Sequence, residues 1–458
     1  MSFHRYQSYK ESGVEWLGQV PAHWAIVPFK HVIQRIESGT SVNAVDTPAA
    51  AGERGVLKTS CVYSGEFNAA ENKAILPEEY DRASCPLRAG TLIVSRMNTP
   101  DLVGAAGLVR VETDELYLPD RLWQLHMKNC EPAFVHFWTA TAAYRSQVQV
   151  ACSGTSSSMQ NLAQDQLRTF WFPNPPRCEQ TEIVRFLDCE IKKIDRLVEE
   201  QQQLIALLKE KRQAAISHGI TKGLNPNALT KVSGIDWPAS VPAHWEVLPL
   251  ARVVSHFVDY RGKTPTKIHA GVPLVTATQI KEGRIERSLD PVFISEEEYG
   301  ERMTRGFPEK GDILITTEAP LGETAQIEDE RVALGQRIIL MKPNRRKITP
   351  SYLFTHFRSQ FGQNELWKRA SGSTASGIRA DRLRASAVLV PPLDEQSVIV
   401  NWIAEEVSHF PPIERAIQTQ IELLQERRSA LISAAVTGKI DVRGLVETEA
   451  PIPGVVAA

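Results

Sequence analysis

The pentapeptide Val-Pro-Ala-His-Trp occurs twice in this chain, at Val20–Trp24 and at Val241–Trp245. Proline, histidine and tryptophan are uncommon residues, so the coincidence constrains the whole molecule. It is the centre of a longer match. Gly13, Trp16, Pro21, His23, Trp24 and Pro28 align with Gly234, Trp237, Pro242, His244, Trp245 and Pro249. A second block repeats without a gap from Pro175 and from Pro391, with Pro-Pro, Glu-Gln, Leu-Leu and Glu-x-Arg in register. Between the blocks the likeness thins. GTLIVSR from Gly90 parallels GDILITT from Gly311, Ser153 parallels Ser371, and Asp165 and Leu167 parallel Asp381 and Leu383. Solenoid repeats have periods of ~20–50 residues, and a unit of about 220 residues is instead a tandem duplication. Similar ends imply one job done twice. Dissimilar middles imply parallel but different jobs.

The second block predicts long helices. From Ile183 apolar residues step by threes and fours through Leu187, Cys189 or Ile191, Ile194, Val198, Ile205, Leu208 and Ala215, interrupted by Gln201 and Arg212. The later copy runs through Ile399, Ile403, Val407, Phe410, Ile417, Ile421, Leu424, Leu431 and Ala435. These are heptad-like seams, and a helix of roughly 40 residues would reach ~60 Å. Asp394 is the expected N-cap of the second helix, Gly219 the stop of the first, and Pro411-Pro412 a kink or break. Two seams in one chain bury each other most simply as an antiparallel pair; separate core helices are the alternative. Arg212 and Arg428 on their outer faces are candidate contacts for a docked partner, with the seam residues Leu187, Ile194, Ile205, Leu208, Ile403, Ile421 and Leu424.

The middles hold short strand-like runs between Gly, Pro, Asn and Ser loops. The expected class is therefore α+β: two globular α/β domains alternating with two long helices that pair as an antiparallel coiled coil, in a pseudo-twofold internal repeat. The expected divisions are a lead-in over 1–24, a domain over 25–174, a helix over 175–222, a lead-in over 223–245, a domain over 246–390, a helix over 391–440 and a flexible tail over 441–458.

Composition narrows the function. The formal charge of −2 carries no global nucleic-acid signature, so such a partner would be held by local patches. The first middle is slightly acidic and the second, from Glu246 to Val390, is about +4. Six cysteines, all in the first half and none in a Cys-x-x-Cys pair, argue against a disulfide framework or a zinc site. Scattered thiols, no apolar run of spanning length and no secretory pattern at the start lead us to expect a cytoplasmic protein without membrane contact.

The loops carry side chains suited to reading a duplex. Arg96 and Asn98 follow a strand, and Arg can bridge guanine O6/N7 as Asn can bridge adenine N6/N7. Arg261, Lys263 and Lys267 lie beside hydroxyls that suit phosphates, and Ser371, Ser373, Thr374 and Arg379 form a similar loop. Lys58 and Thr317 complete the candidates. For each, an ordinary polar loop is the alternative; parallel placement in two units argues for function.

Catalytic signatures fail. Arg-Gly-Lys-Thr at Arg261 has Phe257 where a phosphate-binding loop needs glycine. Asn-Pro-Pro-Arg at Asn174 resembles an amino-methyltransferase motif, but Arg177 replaces its aromatic and Val390 replaces Asn174 in the second copy. Pro-Pro reads better as a helix entry. His23 and His244 lack a second ligand at metal spacing and read as structural. A fused methyltransferase or nuclease with one catalytic middle remains a rival, as does a coiled-coil adaptor that touches no DNA.

Taken together, the doubled VPAHW, the PP…EQ helix entries, LLKEKRQAAIS and LLQERRSALIS, GDILITT, DYRGKTP and LIVSRMNTPDLVG closely resemble the specificity subunits of type I restriction-modification enzymes over nearly the whole chain. The resemblance implies a non-catalytic subunit whose two target-recognition domains each read half of a split double-stranded DNA sequence. It implies helices that set the gap between half-sites and dock two methyltransferase subunits, with restriction subunits joining. No cofactor is expected on this chain; S-adenosylmethionine, ATP and magnesium are expected on the partners.

Overall fold

The structure is a computed structural model, and it describes residues 3–152, 159–260, 264–288, 290–329, 331–371 and 377–445. The chain forms two compact units. One comprises Met1–Glu200 with Thr419–Ala458, and the other Gln201–Gln418.

The middle of the first unit is built on β1 (Ile33–Ser38), β2 (Leu92–Ser95), β3 (Ala106–Leu108) and β4 (Leu122–Met127), an antiparallel sheet in the order β3-β2-β4-β1. The middle of the second uses β5 (Val254–Asp259), β6 (Ile313–Thr317), β7 (Leu321–Gln326) and β8 (Ile338–Pro343), in the order β7-β6-β8-β5. The two orders are the same. Each central strand β2 and β6 is buried at every residue, which is why both read as unbroken apolar runs rather than alternating ones. A smaller sheet accompanies each, with Gly55–Leu57 parallel to Thr113–Tyr117 in one unit and Val272–Val275 parallel to Ala333–Leu334 in the other. Each middle is closed by a strand pair at its borders: Ala25–Pro28 with Trp171–Asn174, and Glu246–Pro249 with Ala387–Val390.

The repeated pentapeptide is a latch onto a helix entry. Trp24 is wholly buried, its indole N–H donates to Glu179 Oε1 at 3.0 Å, and His23 Nε2 meets Glu179 Oε2 at 2.8 Å. The Tyr6 hydroxyl donates to the same carboxylate. In the second unit Trp245 donates to Glu395 at 3.1 Å, and His244 meets it at 2.6 Å. The histidines are structural, as their context implied. The following glutamine ties in the middle: Gln180 Oε1 accepts from Glu131 N at 2.8 Å, and Gln396 Oε1 accepts from Thr349 N at 2.8 Å. One Pro-Ala-His-Trp and one Glu-Gln therefore join lead-in, helix and domain in each unit.

Helix α1 spans Arg177–Lys222, α2 Leu393–Ser408 and α3 Phe410–Val436. Within the first unit, Ile183, Leu187 and Ile191 of α1 share a core with Leu431, Ile432, Ala435 and Val436 of α3. Arg428 Nε lies 3.2 Å from Asp195. Within the second, Ile216 and Ile220 share a core with Ile399 and Ile403, and Arg212 pairs with Glu414 at 3.6 Å. Residue numbers rise along α1 as they fall along its partners, so the pairing is antiparallel. Leu187, Ile194, Ile403 and Ile421 are buried, while Ile205, Leu208, Leu424, Arg212 and Arg428 are half-buried.

Two helix ends differ from expectation. Gly219 does not stop α1; it lies inside the helix, where a Cβ would stand 2.8 Å from Ile403 Cδ1, so glycine permits the close approach of α2. The stop is Gly223, at φ +67°, a left-handed conformation that glycine adopts without strain. Asp394 is inside the first turn of α2, and Pro392 occupies the cap position. The break expected at Pro411-Pro412 falls two residues earlier, at His409. The prolines occupy the first turn of α3, where their missing N–H groups cost no hydrogen bond. Of the expected tail, Asp441 N donates to His4 O and Val442 is buried; residues 446–458 lie outside those described.

Candidate nucleic-acid interface

The same hydrogen bonds build one loop edge in each unit. Arg96 N donates to Arg121 O at 3.1 Å, and Leu162 N donates to Arg96 O at 2.8 Å. Thr317 N donates to Arg337 O at 2.9 Å, and Ile378 N donates to Thr317 O at 2.9 Å. The end of the central strand, the start of the next sheet strand and the segment before the closing pair thus converge twice. The parallel read between GTLIVSR and GDILITT is a parallel of hydrogen-bonding position, with Arg96 matching Thr317 and Arg121 matching Arg337.

In the first unit, Met97–Asn98 pairs with Gln160–Asn161. Asn98 is buried: its amide donates to the Tyr63 hydroxyl at 2.9 Å and to Ser95 Oγ at 3.2 Å, and its Oδ1 accepts from Thr99 N at 2.9 Å. These bonds occupy its amide, so Asn98 organises the loop and Tyr63 stands at the surface beside it. Arg96 is half-buried, with Nε lacking a hydrogen-bond partner among the described residues, and Arg121 is exposed. Lys58 is half-buried and lies 3.8 Å from Asp46.

In the second unit Thr317 is buried at 4% exposure, so its backbone rather than its hydroxyl shapes the edge. Glu318 bridges to Gly377, which also bridges Ser371. Arg337 Nε lies 2.9 Å from Glu318 Oε1. Lys267, Ser371 and Arg379 are exposed. Arg261, Lys263, Ser373 and Thr374 lie outside the described residues.

Sequence reading missed Tyr63, Arg121, Arg337 and Glu318. Arg121 and Arg337 follow Pro-Asp in one copy and Gly-Gln in the other, and only the shared strand order makes them equivalent. Burial pushes the Cys61 and Cys130 thiols up to about 12, far from a reactive thiolate. Among the described residues no group of three His, Cys, Asp or Glu side chains could hold a metal ion, and no helix is long and apolar enough to cross a membrane.

Comparison with known proteins places this geometry. A family model described as the type I restriction modification DNA specificity domain matches residues 257–423. The chain is 22% identical over 326 residues to the EcoBI specificity subunit of Escherichia coli, covering 69% of this chain and 68% of that protein. It is 20% identical over 333 residues to the EcoKI specificity subunit of Escherichia coli strain K12, covering 70% and 68%. A chain from a structure concerned with complex assembly and conformational transition of the type I R-M system superposes with a TM-score of 0.67 at 16% identity, over 93% of this chain and 99% of that one. The HsdS subunit of Thermoanaerobacter tengcongensis superposes with a TM-score of 0.50 at 18% identity, over 92% and 98%. The duplicated sequence, the two units of one design and these likenesses agree: the chain is similar to the specificity subunits of type I restriction-modification systems, in sequence over about two thirds of its length and in fold over nearly all of it.

Proposed function

We propose that this chain reads a bipartite double-stranded DNA sequence for a type I restriction-modification complex and performs no chemistry itself. The observation that carries this reading is the pair of loop edges, identical in hydrogen-bonding frame and unlike in side chains. Arg96 stands against Thr317, and Lys58 against Thr276, in otherwise equivalent positions. A shared frame with exchanged side chains is what two readers of different half-sites require.

The exposed Arg121, Arg337, Lys267 and Arg379 supply phosphate or base contacts, together with Arg96, Arg261, Lys263, Ser371, Ser373 and Thr374. Asn98 and Thr317 hold the loops that present them. A chain of net charge −2 cannot supply the whole electrostatic grip on a polyanion. Two methyltransferase subunits, docked on the paired helices, share that grip and carry S-adenosylmethionine. Restriction subunits carry ATP and magnesium. The target adenine leaves the base stack to reach a methylating site, so the reader has only to grip and distort the duplex.

The test is an exchange of residues 25–174 for the matching segment of a relative, followed by genome-wide mapping of methylated adenines in a host that also makes the methylating partner. One half of the recognised sequence changes and the other stays. A change in both halves would refute independent readers.

A further inference from the structure

The repeat makes Arg212 of α1 and Arg428 of α3 equivalent, each ending the shared Leu-Leu-x-Glu-x-Arg. Their surroundings differ in charge. In the first unit Arg428 sits between two carboxylates, Asp195 at 3.2 Å and Glu66 at 3.8 Å. Glu66 comes from the loop after strand Gly55–Leu57. Aligning that strand with Val272–Val275 carries the sequence Tyr-Ser-Gly-Glu onto Lys-Glu-Gly-Arg without a gap, and both turn glycines, Gly65 and Gly283, have positive φ. Glu66 is thereby replaced by Arg284, and the helix repeat replaces Asp195 by Pro411. A third change adds charge: Arg358, ending the helix Pro350–Arg358, stands where the first unit has Ala140.

Arg212, Arg284 and Arg358 line one open groove of about 630 Å³ in the second unit. Arg358 lies over the Phe354 ring at 5.3 Å. Among the described residues neither it nor Arg284 has an ion-pair partner, and Arg212 has only Glu414, at 3.6 Å. Burial, then the nearby Arg212, hold the Arg358 pKa below the usual guanidinium range. Clustered arginines partly withdrawn from water repel one another until an anion joins them.

We propose that this groove is a carboxylate-binding site, in which Arg212, Arg284 and Arg358 receive the negative charge that Glu66 provides internally in the first unit. The lining holds five basic and four acidic side chains. That near-balance suits a single negative charge and disfavours a polyphosphate. The site takes either a free small carboxylate or an acidic side chain of a docking subunit.

Thermal unfolding of the full chain in glutarate, inorganic phosphate or chloride at equal ionic strength tests this. Glutarate raises the midpoint most in the wild type. R284E, which recreates the Glu66 arrangement, and R358Q each weaken glutarate binding by roughly tenfold or more. R284E also serves as the folding control, because its new carboxylate has partners waiting. A glutarate response that is absent in the wild type, undiminished in both variants, or exceeded by phosphate would overturn the assignment. Assembly with the methylating subunit identifies the source: weakening by R284E indicates a partner's side chain, and unchanged assembly indicates a free carboxylate.

Discussion

Glu179 and Glu395 show how much one side chain can organise. A buried carboxylate must be paired or hydrogen-bonded, and each finds its partners in the residues that the repeat keeps. The two are not equally committed. The Glu179 side chain is 4% exposed and serves Tyr6, His23 and Trp24, whereas that of Glu395 is 26% exposed and serves His244 and Trp245. Glu179→Ala strands more buried donors, and it should cost ~2–4 kcal/mol in chemical unfolding, with Glu395→Ala clearly less. Equal losses would show that exposure does not govern the latch. A second residue makes the units differ in acid. Trp138 and His356 occupy the same turn of equivalent helices, six residues after Pro132 and Pro350. Trp138 packs on Phe29, Tyr144 and Phe172. His356 packs on Phe357 and Phe361, and burial holds its pKa down at about 3. An unfolded histidine titrates near ~6.5. Above that pH both states are neutral and stability is full. Below it only the unfolded chain takes the proton, so stability falls as pH drops from about 6.5 towards 3, at up to ~1.4 kcal/mol per pH unit. His356→Leu should flatten the slope between pH 6 and 4 relative to wild type; parallel profiles would sink the assignment.

The elements were legible where one physical rule dominates. Seam periodicity located both helix regions, because an apolar stripe at helical spacing is needed to pair two helices whatever surrounds them. The helix ends were less legible. Gly219 looked like a terminator because glycine often is one, but here the missing side chain admits Ile403. Gly438 makes the complementary case: its φ of +72° suits a helix end, and a Cβ there would lie 2.3 Å from Pro21 and 3.2 Å from Trp24. One residue thus ends α3 and makes room for the latch. Sequence alone cannot separate these roles, since the deciding neighbours are hundreds of positions away. The loop residues were harder still. Asn98 carries groups that could read adenine, yet Tyr63 and Ser95 already use them. Donor chemistry is visible in a sequence; whether a donor is already spent depends on contacts between loops.

At the scale of the molecule, the repeat was visible in its ends and hidden in its middles. The ends are held by directional bonds to one carboxylate and one amide, and few residue types can replace them. The middles are held by strand order and apolar burial, which many sequences satisfy, so their kinship emerges only from equivalent hydrogen bonds. That kinship yields a prediction for the two units together. Arg121 and Arg337 accept the same backbone bond at the same sheet position, but Arg337 is tethered by Glu318 and Arg121 has no ion-pair partner among the described residues. An untethered arginine is free to follow a phosphate, whereas one held by a carboxylate keeps a fixed fork suited to a guanine edge. Arg337→Ala should therefore relax one base position in its own half-site, at ~1–3 kcal/mol, and leave the other half-site unchanged. Arg121→Ala should weaken binding evenly across sequences and make the salt dependence shallower by about one unit. Binding of the assembled complex to a panel of singly substituted duplexes, at several salt concentrations, measures both. If Arg337→Ala lost affinity evenly too, its pairing with Glu318 would have no part in reading, and the two edges would share their chemistry as well as their frame.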